Sequence, residues 1–198
     1  MRLPADAVLL VIDAQGPVDP RHGARDAPEV EKNIAALIAA WRAEGLPLAH
    51  VGRSPFVPAI PPLDGEIVIV RDATSAFVGA HLEARLDELG ATTLVLCGAL
   101  GTHALEASAR HAADLGYQVF VVAEACRAGD TVDLRGRRWP AEDVLTLALS
   151  RLKGETATIV DVATTLRAAA TAKARQRRAS ITIGGAVKSR RLRRLRRL

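Results

Sequence analysis

The sequence predicts a three-layer α/β/α domain, and three observations carry that prediction. Short β-branched runs alternate with longer amphipathic stretches along the chain. The runs are almost continuously apolar, as strands of a parallel sheet covered on both faces should be. The stretches between them stop at glycines placed just beyond a last helical turn. Strands alternating with helices in this way make a doubly wound, Rossmann-like fold with a six-stranded parallel sheet.

Each element has its own local reason. Strands are expected at Ala7–Asp13, Pro47–Val51, Ile67–Arg71, Thr93–Cys97, Gln118–Val122 and Ala157–Val160. The first helix, Pro28–Glu44, carries Ile34, Leu37, Ile38 and Trp41 at helical spacing and stops at Gly45. Ala80–Leu89 stops at Gly90, and Thr102–Leu115 at Gly116. Pro140–Lys153 opens on a proline, places Glu142 and Asp143 where the helix dipole favours negative charge, and stops at Gly154. Asp161–Ala172 is the last helix, and no internal repeat is visible.

A length of 198 residues with 49% hydrophobic content suits one domain with a substantial core. The domain is expected over residues 1–170, followed by a basic, disordered tail over 171–198. The formal net charge of +5 hides a division between the two. Residues 167–198 hold 12 Lys and Arg and no Asp or Glu, whereas residues 1–166 hold 15 basic and 22 acidic residues, a balance of −7. The tail suits contact with nucleic acid, anionic lipid or an acidic protein. It contains no aromatic residue on which a base would stack. The two cysteines, Cys97 and Cys126, form neither a disulfide framework nor a zinc pattern, which fits a reducing cytoplasm. The amino terminus MRLPADAVLLVIDAQ lacks the pattern of a signal peptide and no run approaches transmembrane length, so neither secretion nor membrane spanning is expected.

Ligands of doubly wound sheets bind at the carboxyl ends of the strands, near the reversal of strand order. Three features fall there. Asp13 closes the first strand, Arg71 closes the third, and Gly98 leads through Ala99-Leu100-Gly101-Thr102-His103 into a helix. A carboxylate at such a strand end is partly desolvated, which suits proton donation, although a turn-capping role explains its position equally well. Gln15, Ser75, Phe77, Leu100, Gly101 and His103 flank these ends and are the candidates for contacting a ligand. His50, His81, His103 and His111 lack metal-ligand spacing; His81 and His111 are expected at the surface or at caps. Cys97 reads as a small core residue, while Cys126, beyond the expected strand end, reads as reachable.

Four ordered pieces carry a family likeness. VLLVIDAQ, IAALIAAWRAEGLPLAHVGR, EIVIVRDATSAFVG and LVLCGALGTHALEASARHAADLGYQVFVVAEAC together resemble the isochorismatase-like hydrolases, over about Ala7 to Leu166. The resemblance implies a parallel sheet of order 3-2-1-4-5-6, no cofactor, and a homo-oligomer. It also implies an Asp, a Lys and a Cys as catalytic groups. Asp13 matches the acid, but Arg71 stands at the Lys position and Ala104 at the Cys position.

Those two replacements set the expected function. Ala104 supplies no nucleophile, so a covalent thioester route is closed. Arginine stays protonated and cannot relay a proton as lysine does. One reading is a pseudoenzyme that keeps the fold for binding or assembly. Another is a cysteine-independent hydrolase of a small molecule. Its sharpest form is an isochorismatase-type vinyl-ether hydrolase, with Asp13 as general acid and Arg71 holding a substrate carboxylate. A third is a binding protein acting through the basic tail.

Overall fold

The computed structural model describes residues 1–14, 28–53, 60–79, 81–99 and 103–172. Gln15, Leu100, Gly101 and the basic tail beyond Ala172 lie outside the described residues. The chain order is β1 (Val8–Ile12), α1 (Pro28–Glu44), β2 (Leu48–Gly52), β3 (Ile67–Val70), α2 (Leu82–Glu88), β4 (Thr93–Ala99), α3 (Ala104–Asp114) and β5 (Gln118–Arg127). Then follow β6 (Thr131–Val132), β7 (Arg138–Trp139), α4 (Ala141–Leu152), β8 (Thr158–Val160) and α5 (162–172).

Six strands form one parallel sheet in the order β3-β2-β1-β4-β5-β8. This is the expected order, with β8 in the sixth place. The numbering differs because β6 and β7 pair as a small antiparallel hairpin that the sequence reading did not anticipate. Asp133 builds that hairpin. Its carboxylate accepts the N–H groups of Arg135 and Arg137 at 2.9 and 3.0 Å and the Trp139 indole N–H at 3.0 Å. Two-residue strands leave too little alternation to be seen as strands.

The alternation of β1 sends side chains into two core layers. Val8, Leu10 and Ile12 pack with Leu82, Leu86, Leu105, Ala109, Ala148 and Leu152, the layer of α2, α3 and α4. Leu9 and Val11 pack with Ile34, Leu37, Ile38, Trp41, Ala168 and Ala169, the layer of α1 and α5. Trp41 is fully buried, and its indole N–H donates to the Ala7 carbonyl at 3.1 Å, so α1 is fixed to the start of β1. Burial of that side chain contributes about 3 kcal/mol.

Two expectations are corrected. β3 is an edge strand with Val68 and Val70 exposed, so it is not covered on both faces. β5 runs to Arg127 instead of ending at Val122, with an irregularity in its register against β4. Cys126 is therefore inside the sheet and buried, not reachable.

Candidate functional site

The site is built at the ends of β1, β2 and β3. Past Ile12 the chain turns at Asp13, whose φ of 50° is left-handed, a conformation aspartate tolerates better than most residues. Its N–H still donates to the Val51 carbonyl at 2.8 Å, and the Arg71 N–H donates to the Gly52 carbonyl at 2.9 Å. Both residues thus hang from the end of β2, on opposite sides of it. Gly52 pairs with Val70, the residue before Arg71.

Arg71 reaches across β2 to Asp13. Its Nη2 donates to Oδ2 of Asp13, and its Nε donates to Oδ1 at 3.3 Å, a two-point fork. Nη1 donates to the Ala73 carbonyl at 2.7 Å. The side chains are 2% and 11% exposed for Arg71 and Asp13, so the pair is shielded from water. A carboxylate held this way is an acceptor. The guanidinium, engaged at all three nitrogens, is poorly placed to clamp a substrate carboxylate.

The neighbouring strand brings the Gly98 turn to the same place. Gly98 pairs with Ile12 on one side and Cys126 on the other. Ala104 opens α3 and is fully buried, in the same core layer as Ile12, Ala76 and Phe77. Burial pushes the Cys126 thiol up to about 12, against a hydrogen bond from the Gly98 backbone. Burial also pushes Cys97 well above its ordinary value. The two thiols lie in different core layers. Neither has the electropositive, accessible setting of a reactive cysteine.

The loop after Arg71 is stapled to α3. The Ser75 hydroxyl is 3.1 Å from Nδ1 of His111 and accepts the Phe77 N–H at 3.2 Å. The Ser108 hydroxyl accepts the Ala76 N–H at 2.9 Å. The Phe77 ring lies 5.3 Å from the His111 ring and 6.1 Å from that of Tyr117. Ser75 and Phe77 therefore turn inward and hold the segment that carries Arg71. His111 is a half-buried partner of this staple, not the surface residue expected. Ser108 and His111 were legible as a pair, since their spacing of three puts them on one face of α3.

His103 precedes α3, exposed and left-handed at φ 58°, with no side-chain cap bond; His81 stands in the same relation to α2 at φ 54°. A second polar cluster escaped the sequence reading altogether. Buried His50 on β2 meets Glu66 at 2.9 Å, and Glu66 also accepts a fork from Arg42 at 2.7 and 3.0 Å and the Leu63 N–H at 2.9 Å. Burial raises the Glu66 carboxyl, but the bonds from Arg42, Leu63 and His50 outweigh it and bring it down to about 2. Among the described residues, no three His, Cys, Asp or Glu side chains converge as a metal site.

A parallel sheet whose order reverses between β1 and β4 defines a doubly wound domain, and Asp13 stands at the carboxyl end of β1 beside that reversal. This chain belongs to the isochorismatase family: the isochorismatase domain matches residues 7–164. A structure from Chromobacterium violaceum ATCC 12472, described as a hydrolase of that family, is 36% identical, with a TM-score of 0.77 over 85% of this chain and 96% of that one. An isochorismatase from Pseudomonas putida KT2440 is 29% identical, with a TM-score of 0.72 over 83% and 92% of the two chains. YddQ, an isochorismatase family protein of Bacillus subtilis (strain 168), is 30% identical over 169 residues, which is 76% of this chain and 93% of YddQ.

Proposed function

We propose that this chain is a catalytically impaired member of the isochorismatase family that binds a small molecule at the ends of β1 and β4. One observation carries the reading: the Asp13 carboxylate and the Arg71 guanidinium satisfy each other in a buried fork. The family's amidase route needs a thiolate and a lysine that relays its protons. Ala104 and Arg71 stand at those positions. Cys97 and Cys126 are fully buried and held protonated, so neither replaces the thiol.

The second reading is vinyl-ether hydrolysis without a thiol, with Asp13 as proton donor. It is favoured by the retained Asp13 and by the likeness to a protein named as an isochorismatase. The fork weighs against it, because Asp13 accepts two N–H bonds and Arg71 has no nitrogen left unbonded for a substrate carboxylate.

Product analysis separates the two readings. The purified protein is incubated with isochorismate and with a panel of small amides, beside Asp13→Ala. No product in either case, with a ligand-induced rise in melting temperature for one panel member, is the expected result. Isochorismate hydrolysis that disappears in Asp13→Ala would establish the second reading in its place.

A further inference from the structure

We propose that α4 and the β6–β7 hairpin before it form a self-complementary surface on which a second copy of this chain docks, with the two α4 helices antiparallel across a two-fold axis. The three most exposed large apolar side chains among the described residues fall on this stretch: Leu134 at 107%, Val132 at 64% and Leu147 at 59%. Hairpin and helix are tied together. The Asp130 carboxylate accepts Arg138 Nε at 2.9 Å and the Ala141 N–H that opens α4, also at 2.9 Å. Ala148 and Leu152 face α4 into the core, and Leu147 stands outside it.

The charge pattern of α4 identifies the occupant. Asp143, Leu147 and Arg151 recur every fourth residue and are all exposed, so they lie along one ridge of the helix. Turned end over end about Leu147, that ridge exchanges its acidic and basic ends. A two-fold axis through Leu147 therefore sets Leu147 against its counterpart and each Asp143 against the other copy's Arg151. Both ends have charge to spare. Among the described residues, the Glu142 and Asp143 carboxylates take no hydrogen bond or ion pair. At the other end Glu106 accepts both Arg110 at 3.1 Å and Arg151 at 3.2 Å, one carboxylate for two guanidinium groups. The helix dipole accounts for acids in the first turn and a base in the last, but not for an exposed leucine midway between them on the same ridge.

The size of the surface requires the hairpin as well. α4 has 12 residues, a length of about 18 Å, and cannot alone bury the roughly 800 Å² per partner of a stable complex. Val132 and Leu134 supply further apolar contact beyond its first turn. The ion pairs are exposed and set orientation more than affinity.

Sedimentation velocity of the full chain between about 1 and 100 µM tests this. The chain should be dimeric within that range, and Leu147→Asp should weaken the dimer at least about tenfold. Asp143→Arg and Arg151→Asp should each do the same, because each sets like charges against one another twice. Mixing these two variants should restore the dimer, since in the mixed pair every base faces an acid. Such a rescue also shows that both variants are folded. A full chain that stays monomeric at about 100 µM would leave the face to a different protein and overturn the proposal. Single variants that dimerise as the unaltered chain does, or a mixture that remains monomeric, would overturn it equally.

Discussion

The carbonyl oxygen of Ile12 occupies the space in which a side chain on Gly98 would begin. Gly98 also has a φ of 125°, a conformation closed to side chains of L configuration. The close approach of β1 and β4 at the switch point therefore depends on that glycine. Gly98→Ala must push β4 away from Ile12 or reshape the turn toward α3. A loss of more than about 3 kcal/mol is expected in urea unfolding. A loss below about 1 kcal/mol would show that the two strand ends are not held this tightly.

The His50–Glu66–Arg42 cluster makes stability depend on acid. Glu66 lies below its ordinary value in the folded state, at about 2, so its contribution is complete above the unfolded carboxyl range. That contribution disappears as pH falls from about 4.5 toward about 2, and is on the order of 2 kcal/mol after screening. Burial lowers His50, against the hydrogen bond and charge of Glu66. Its contribution is therefore also lost on acidification, beginning as pH falls through about 6.5. Both groups act in the same direction. Urea titrations across this range should show stability falling in two phases, and Glu66→Gln should remove the lower one. A stability that rises on acidification from neutral pH would contradict the assignment.

Thiol chemistry should be silent in the native protein. Burial holds Cys97 and Cys126 as thiols, so a thiol-specific disulfide reagent at pH 8 should label neither until the chain is unfolded. Ala104→Cys alone should yield no amidase, because Arg71 cannot return protons. Arg71→Lys with Ala104→Cys is the pair of changes expected to restore measurable amide hydrolysis. Amide turnover by the unaltered protein, abolished by alkylation of Cys97 or Cys126, would show that the nucleophile lies elsewhere.

The sheet was legible because apolar runs such as Val8–Ile12 and Thr93–Cys97 admit few other readings. Glycines at 45, 90, 116 and 154 marked where helices stop to within a residue or two. Helix starts were less legible. α2 and α3 begin two residues late because His81 and His103 take left-handed conformations, which histidine favours too weakly to mark a helix start. The continuation of β5 to Arg127 was hidden by Glu124, which breaks the apolar run yet serves the fold through its carboxylate, which accepts the Val162 N–H at 3.0 Å. Asp13 and Arg71 were found separately, from their places at strand ends. Their fork depends on a guanidinium reaching across the end of β2, a relationship between three strands that no local pattern encodes.

A double-mutant cycle on Asp13 and Arg71, read by equilibrium unfolding, measures whether the two side chains act as one unit. The two side chains form one shielded ion pair. Asp13→Asn and Arg71→Met should each cost about 3 kcal/mol, because each leaves a buried charge without its partner. The double variant should cost clearly less than the sum, with a coupling of about 2 kcal/mol or more. Additivity to within about 0.5 kcal/mol would mean that Asp13 and Arg71 act independently, and would contradict the account of a closed, catalytically impaired site.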